Sequence, residues 1–234
     1  MSYDFYNGEV LLIDKPYTWS SFQAVNKIKH AIKNHPSLVV ENTKVKPKIG
    51  HAGTLDPLAS GLLILCTGKF TKKINDYMAA EKEYIGSFTL GATTPTYDLE
   101  SEPENFQPVQ NFSDAELQNA TKPFTGEIFQ VPPMHSAIKK DGKRIYKLAR
   151  QGKEIELEPR KITIKEFEIT RVELPMVHFR VVCSTGTYIR SLANDYGKAL
   201  GPGAYLSGLV RTRIGEFELK DAFTIQQLED AAHK

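Results

Sequence analysis

The stretch at residues 50–57 constrains the fold of this chain more than any other, and it reads Gly-His-Ala-Gly-Thr-Leu-Asp-Pro. Its glycines and proline disfavour a regular helix or strand, so we predict a loop held between ordered elements. Glycine permits close approach of the backbone, and proline fixes the direction in which the chain leaves. The acid of this loop, Asp56, can therefore face a ligand. An Asp-Pro pair is also a common helix start, and the segment alone balances these two interpretations evenly.

Short strands and helices of unequal length surround this loop. Apolar or alternating runs predict strands at residues 9–13, 61–66, 84–90, 161–170, 177–183 and 213–219. Helix starts are predicted by capping signals at Ser20, Ser113, Thr187 and Thr224, and residues 69–78 are also predicted to be helical. An Asp-Gly pair at 141–142 predicts a hairpin. The pattern favours a single α+β domain over residues 1–234, with a mixed, largely antiparallel sheet flanked by helices.

Composition excludes some classes of protein. The chain is 41% hydrophobic and 25% charged, which is typical of a globular protein. Both cysteines, Cys66 and Cys183, lie in apolar runs, so we predict buried thiols in a reducing compartment rather than disulfide or zinc ligands. The N-terminus has no basic-then-apolar signal, and no apolar run approaches the roughly 20 residues of a membrane span. We therefore expect a soluble, cytoplasmic protein.

Positive charge is concentrated locally although Lys plus Arg exceed Asp plus Glu only by 30 to 28. One cluster comprises Lys139, Lys140, Lys143, Arg144, Lys147, Arg150 and Lys153. A second comprises Lys69, Lys72 and Lys73. Such clusters suit contacts with phosphates, and they are equally compatible with solvated helix faces.

Several segments resemble one family. Residues 50–61 (GHAGTLDPLASG) are similar to the signature loop of the TruB family of tRNA pseudouridine synthases. Further segments resemble motifs of that family in the same order: GEVLLIDKPYTWS at 8–20, KEY at 82–84, PPMHSAIK at 132–139, CSTGTYIR at 183–190 and LVRTR at 209–213. The resemblance covers essentially the whole chain. It implies the pseudouridine synthase catalytic fold with a central RNA-binding cleft.

The resemblance also implies an activity, the isomerisation of uridine to pseudouridine in the T loop of tRNA, at position 55, on a flipped-out nucleotide. Asp56 would be the catalytic carboxylate, acting at ribose C1′ as a nucleophile or at C2′ as a base. Arg190 would pair with Asp56 and keep it ionised, although a surface arginine is the alternative. Tyr84 would stack on the uracil and accept the C5 proton, unless it is merely part of the core.

Five further residues would bind the substrate by the same resemblance: His51, Tyr188, Leu209, Lys15 and Lys82. The alternatives are a loop hydrogen bond for His51 and ordinary core packing for Tyr188 and Leu209. We expect the T arm of tRNA as partner, a monomer, and neither a metal nor another cofactor. We also expect no C-terminal PUA domain, which many relatives carry for RNA binding.

Three other functions remain to be distinguished. A non-catalytic tRNA-binding and folding module would bind tRNA without converting it. A metal-dependent hydrolase would use His51, Asp56 and His135 as ligands, but their spacing gives it little support. A guide-RNA-dependent pseudouridine synthase of ribosomal RNA would need a second RNA for activity.

Overall fold

The computed structural model describes residues 3–134, 136, 139–140, 143–144 and 157–232. The described α-helices are α1 (Ser21–Ile32), α2 (Ile74–Ala79), α3 (Asp114–Asn119), α4 (Ile189–Leu200) and α5 (Ile225–Ala232). The first strands are β1 (Val10–Lys15), β2 (Val39–Val40), β3 (Thr43–Lys44), β4 (Ile49–Ala52), β5 (Ser60–Thr67) and β6 (Lys82–Leu90). The later strands are β7 (Gly126–Gln130), β8 (Lys139–Lys140), β9 (Lys143–Arg144), β10 (Arg160–Glu173), β11 (Met176–Cys183), β12 (Ala204–Ile214) and β13 (Phe217–Glu218).

The chain divides into two compact units. The first unit comprises Met1–Tyr84 and Val210–Lys234, and the second comprises Ile85–Leu209. Strands β6 and β12 contain the residues at which the chain passes from one unit to the other.

Strand β5 is the centre of the first unit. Along one side it pairs antiparallel with β1, from Val10 opposite Cys66 to Lys15 opposite Gly61. Along its other side, β4 pairs antiparallel with its second half and β12 pairs parallel with its first two residues. Strands β4 and β12 therefore share one side of β5.

Both faces of β5 are covered, which explains its continuous apolar sequence. Leu63 and Leu65 pack with residues of α1 and α5, including Ile28 and Leu228. On the opposite face, Ile64 and Cys66 pack with residues that include Ile74 of α2. The predicted burial of Cys66 and Cys183 is confirmed.

The second unit is organised around the antiparallel pair β10 and β11, with β7 on the outer side of β10. Aromatic side chains form its core, because Phe88 stacks on Phe179 with ring centroids 4.1 Å apart and Phe167 packs edge-on to both. Tyr196 of α4 completes this cluster, and its hydroxyl donates a hydrogen bond to the Leu117 carbonyl at 3.0 Å. These contacts position α4, whose N-terminal end carries Arg190.

Most predicted elements are confirmed, including the mixed, largely antiparallel sheet and the capping boxes at Ser20 and Ser113. The predicted hairpin pairs Lys140 with Lys143, while its turn lies outside the described residues. The helix predicted for 69–78 begins as a 3₁₀ helix over Gly68–Lys73 before α2. In the described part of the chain, no helix combines the length and apolar character that crossing a bilayer requires.

Two predictions near chain turns were wrong. Residues 213–219 are not one strand, because Gly215 has a φ of +56° and turns the chain between β12 and β13. Thr187 does not cap α4, because its hydroxyl donates to the Ser184 carbonyl at 3.0 Å and the cap residue is Tyr188.

Candidate active site

Asp56 lies in the connection between β4 and β5. Residues 50–52 were predicted as loop, but they form most of β4 and pair with β5. A glycine at position 50 leaves room for α2, because a Cβ there would lie only 2.8 Å from the Ile74 side chain. The helix-cap interpretation of Asp56 is also wrong, since the Ala59 amide donates to the Asp56 carbonyl at 3.1 Å and β5 begins at Ser60. A turn, rather than a helix, therefore presents the half-buried Asp56 side chain.

The first turn of α1 and the segment before it hold this loop by hydrogen bonds to the loop's main chain. The buried Ser21 hydroxyl donates to the Leu55 carbonyl at 3.0 Å and accepts from the Leu55 amide at 2.8 Å. The Thr18 amide donates to the Pro57 carbonyl at 2.8 Å. The residues on both sides of Asp56 are thus fixed in position.

Arg211 of β12 holds the same loop from another direction. Its side chain is 1% exposed. The Nε atom donates to the Leu62 carbonyl at 2.8 Å, while the terminal nitrogens donate to the carbonyls of Gly53 at 3.2 Å and Thr54 at 3.4 Å. A planar guanidinium with several donors suits this task, because it bridges several acceptors in one fixed geometry.

Gly61 makes the approach of β12 to β5 possible. Its φ is +100°, and a Cβ at this position would lie 2.5 Å from the Arg211 carbonyl oxygen. Only glycine fits this backbone conformation and this spacing without strain. Gly61 thereby places Arg211 beside the loop that carries Asp56.

Lys15 adds a buried positive charge next to the loop. Its ammonium group donates to the carbonyls of Pro16, at 2.9 Å, and Trp19. Burial lowers the pKa of Lys15 to about 8. The charge of Asp56 raises this pKa, and the charge of Arg211 makes a smaller contribution that lowers it. Lys15 and Asp56 are thus close enough to interact electrostatically.

His51 precedes the loop at the end of β4. Burial lowers the pKa of its imidazole, a hydrogen bond with the Gly53 backbone acts in the opposite direction, and the charge of Arg211 lowers it further. The neutral ring is therefore favoured at neutral pH. A neutral, partly buried ring can pack against a nucleobase without bringing another charge.

Lys82 and Tyr84 lie two residues apart near the start of β6. The buried Lys82 ammonium donates to the carbonyls of Met78 and Ala80 at the end of α2, where a cation is stabilised by the helix dipole. These hydrogen bonds give Lys82 a structural role. Tyr84 is half-buried, and side chains at alternate strand positions share one face.

In the second unit, Arg190 is buried in the first turn of α4. Its Nε atom lies 3.7 Å from Asp98 Oδ2, and both side chains are 6% exposed. A terminal nitrogen of Arg190 also lies 3.4 Å from the Thr96 carbonyl. The nearby carboxylate offsets the unfavourable position of a cation at a helix N-terminus.

Tyr188 is anchored at its backbone. The buried side chain of Gln130 accepts from the Tyr188 amide at 2.8 Å and donates to its carbonyl at 3.1 Å. Ser191 donates to the Val131 carbonyl at 2.8 Å, which attaches the same end of α4 to the chain after β7. Leu209, also a residue of this unit, is half-buried in β12.

Sequence reasoning missed the residues that hold the loop. The structure brings Lys15 within electrostatic range of Asp56, and it places His51 beside Gly53 and Arg211. Ser21 and Arg211 were not among the predicted site residues, and only the motif at 209–213 signalled the latter. His135, the third ligand of the hydrolase alternative, lies outside the described residues, as do Lys147, Arg150 and Lys153 of the basic cluster.

Comparisons with known proteins identify the family. A sequence model described as TruB family pseudouridylate synthase (N terminal domain) matches residues 41–189. A second, described as tRNA pseudouridylate synthase B C-terminal domain, matches residues 190–234. The chain belongs to the TruB family of pseudouridylate synthases.

Curated relatives of this TruB-family chain match nearly all of its length. It is 55% identical over 228 residues to tRNA pseudouridine synthase B of Flavobacterium johnsoniae, covering 97% of each chain. It is 47% identical to the protein of the same name from Parabacteroides distasonis, covering 97% of this chain and 94% of the relative. The TruB-family chain is an RNA-modifying isomerase.

Solved structures share the fold of this TruB-family chain. A chain in the crystal structure of a Cbf5-Nop10-Gar1 complex has a TM-score of 0.71 and 30% identity, with 97% of this chain and 55% of that chain covered. A chain in the structure of an H/ACA RNP bound to a substrate RNA containing 2′-deoxyuridine has a TM-score of 0.67 and 29% identity. The match covers 96% of this chain and 53% of that chain. The TruB-family chain thus spans about half the length of these chains. Its predicted fold class is confirmed.

Proposed function

We propose that this chain isomerises uridine to pseudouridine in the T loop of tRNA, at position 55, and that Asp56 acts on the ribose of the target nucleotide. The names of the relatives, tRNA pseudouridine synthase B, support tRNA as the substrate. The observation that carries the proposal is the half-buried Asp56 on a turn fixed by Ser21 and Arg211.

The reaction explains why such a carboxylate is needed. The bond from ribose C1′ to uracil N1 breaks, the base turns, and a new bond forms from C1′ to C5. The proton on C5 leaves and N1 takes up a proton, so that atoms and charge balance. An ionised carboxylate can attack C1′ or remove the C2′ proton, and either route requires an oxygen held at the ribose.

Arg190 and Tyr84 complete the proposed catalytic group. The guanidinium of Arg190 would pair with Asp56 and favour its ionised form, because an adjacent cation stabilises a carboxylate. Tyr84 would stack on the uracil and accept the C5 proton. Arg190→Met should slow conversion more than it weakens tRNA binding. Tyr84→Phe should also slow conversion severely, because it removes the hydroxyl that would accept the proton, while stacking is preserved. Wild-type conversion rates in both variants would contradict these roles.

The remaining predicted residues would shape the substrate pocket. His51, Tyr188 and Leu209 would contact the flipped nucleotide, and Lys15 and Lys82 would add positive charge nearby. Each residue can be tested by replacing it with alanine. An unchanged KM for the T-arm substrate in every variant would contradict this group of assignments.

We also propose that the enzyme works as a cytoplasmic monomer on the T arm, without a metal or another cofactor. An isomerisation at carbon consumes neither an oxidant nor water, which is consistent with this. Full activity in a chelator and a monomeric mass at working concentration are the expected results. A requirement for added zinc or manganese would instead support the hydrolase alternative.

The decisive test maps the altered uridine. Purified protein is incubated with an unmodified tRNA transcript, with no second RNA present, and pseudouridine is located by chemical mapping. We expect one modified position in the T loop. Tight binding without conversion would favour the non-catalytic module, and conversion only after addition of a guide RNA would favour the guide-dependent enzyme.

A further inference from the structure

A cavity of about 240 Å³ lies in the first unit, apart from the residues assigned to catalysis. Its lining residues are Phe5, Tyr6, Leu38, Val45, Lys46, Lys48, Gly68, Lys69 and Lys72. They come from the N-terminal segment, from the chain around β2 and β3, and from the 3₁₀ helix that follows β5. The cavity therefore combines an apolar interior with lysine side chains.

The walls of the cavity are fixed by the fold. Phe5 and Leu38 belong to the buried core, and the Val45 amide donates to the Leu38 carbonyl at 2.9 Å. The Gly68 amide donates to the Lys48 carbonyl at 2.9 Å. A Cβ on Gly68 would collide with the Tyr6 carbonyl, so a glycine is needed where these segments meet.

The rim of the cavity is strongly positive. Lys46, Lys48 and Lys72 are exposed, and in the part of the chain that the structure describes no carboxylate forms an ion pair with them. Lys69 is partly neutralised by its electrostatic interaction with Asp4, and its ammonium donates a hydrogen bond to Asn7 Oδ1 at 2.8 Å. Three lysines therefore remain to attract an anion.

Size and chemistry together limit the ligand. Pockets for whole drug-sized ligands occupy roughly 300–1,000 Å³, so about 240 Å³ suits a single ring with its substituents. Phe5 and Leu38 close the bottom of the cavity, while the exposed Tyr6 ring and the half-buried Val45 can contact a flat base, and lysines bind phosphates. We infer that this cavity binds one nucleotide of the RNA substrate, with the base against Tyr6 and Val45 and the flanking phosphates at Lys46, Lys48 and Lys72.

The position of the cavity makes it a second RNA contact rather than part of the catalytic pocket. Lys48 immediately precedes β4, whereas the loop carrying Asp56 follows the other end of that strand. A strand of four residues spans about 13 Å at roughly 3.3 Å per residue. The inference rests on the proposed RNA substrate, and it adds a nucleotide held away from the reacting uridine.

The first test measures RNA affinity against salt for the Lys46→Gln/Lys48→Gln variant. Each lost phosphate contact should reduce the magnitude of the slope of log K against log salt by about 0.7 to 0.9. The slope of the double variant should therefore be smaller by roughly 1 to 2, and the variant should bind RNA about tenfold more weakly at low salt. The matched control is Lys29→Gln/Lys33→Gln, which removes the same charge from two exposed positions, one in the last turn of α1 and one directly after it. Equal slopes in the two double variants would overturn the inference.

The second test observes the cavity itself. Methyl groups of Leu38 and Val45 are labelled in the full chain, and their NMR signals are followed during titration with RNA. The RNA is a hairpin that consists of the T arm joined to the acceptor stem. We expect saturable shifts with RNA. Shifts with uridine 5′-monophosphate but not with RNA, or with neither, would overturn the inference. Both readouts are independent of catalysis, so failed conversion by the wild type would refute the proposed function without deciding this one.

Discussion

The loop of Asp56 and the lysine-rimmed cavity lie at opposite ends of β4, and they are built in different ways. Asp56 is presented by a turn that Ser21 and Arg211 hold through main-chain atoms from distant parts of the sequence. The cavity instead gains its charge from exposed lysines such as Lys46 and Lys48, which extend into solvent.

This difference matches the demands of the two proposed tasks, catalysis at the loop and phosphate binding at the cavity. A reacting carboxylate must be placed accurately, since a displacement of about 1 Å can cost on the order of 100-fold in rate. Phosphate binding acts over longer distances and tolerates side-chain movement. We therefore expect substitutions around the loop to reduce the rate constant strongly, and substitutions at the cavity to change affinity moderately.

The largest effect is expected at the glycine that lets β12 approach β5. Gly61→Ala would force a Cβ to within 2.5 Å of the Arg211 carbonyl at a φ of +100°. Strain and overpacking should together lower the free energy of unfolding by about 3 kcal/mol in a urea titration. Gly201→Ala is the control, because Gly201 has a φ of +107° but a Cβ added there would have nothing within 4 Å. We expect this variant to lose about 1 kcal/mol of unfolding free energy. Equal losses would contradict the close-approach argument.

Arg211 should affect catalysis most among the residues that hold the loop. Arg211→Met leaves the carbonyls of Gly53, Thr54 and Leu62 without these donors, and we expect kcat to fall about 100-fold. Arg213→Met serves as the control, because Arg213 lies two residues later and donates hydrogen bonds to the Gly215 carbonyl and the Glu81 carboxylate instead. Comparable kcat values for the two variants would show that the loop does not depend on Arg211.

A smaller effect is expected for Ser21. Ser21→Ala removes both hydrogen bonds to Leu55 and should reduce kcat up to about tenfold, with about 1–2 kcal/mol lost from the free energy of unfolding. Ser20→Ala removes the cap of α1 and should cost about 1 kcal/mol with kcat preserved. A parallel drop in kcat for both variants would mean that helix stability, rather than loop position, limits the rate.

Lys15 affects stability rather than the rate, and its effect has a defined pH dependence. Its pKa is about 8 in the folded protein against an ordinary 10.5, so the unfolded chain holds that proton more tightly between these values. The free energy of unfolding contributed by Lys15 should therefore rise as pH increases through this window. Lys15→Met should lack this component in urea titrations between pH 8 and 10. Parallel pH profiles of wild type and variant would contradict the buried charge.

Local patterns allowed the helix starts at Ser20 and Ser113 and the apolar strand β5 to be predicted, because capping and burial follow from adjacent residues. Asp56 was predicted through its motif. The roles of Ser21 and Arg211 could not be predicted, since their hydrogen bonds join residues 34 and 149–158 positions apart. Such contacts depend on how β4 and β12 share one side of β5, which no local pattern encodes.

The central claim is that the charged oxygen of Asp56 acts on the ribose of a bound uridine. Its most direct test is the single-turnover conversion of a tRNA transcript by Asp56→Asn, with tRNA affinity measured in parallel. The exchange preserves size and removes the charge, so we predict no detectable pseudouridine with affinity within about threefold of wild type. Conversion by Asp56→Asn at a rate near that of the wild type would contradict the account.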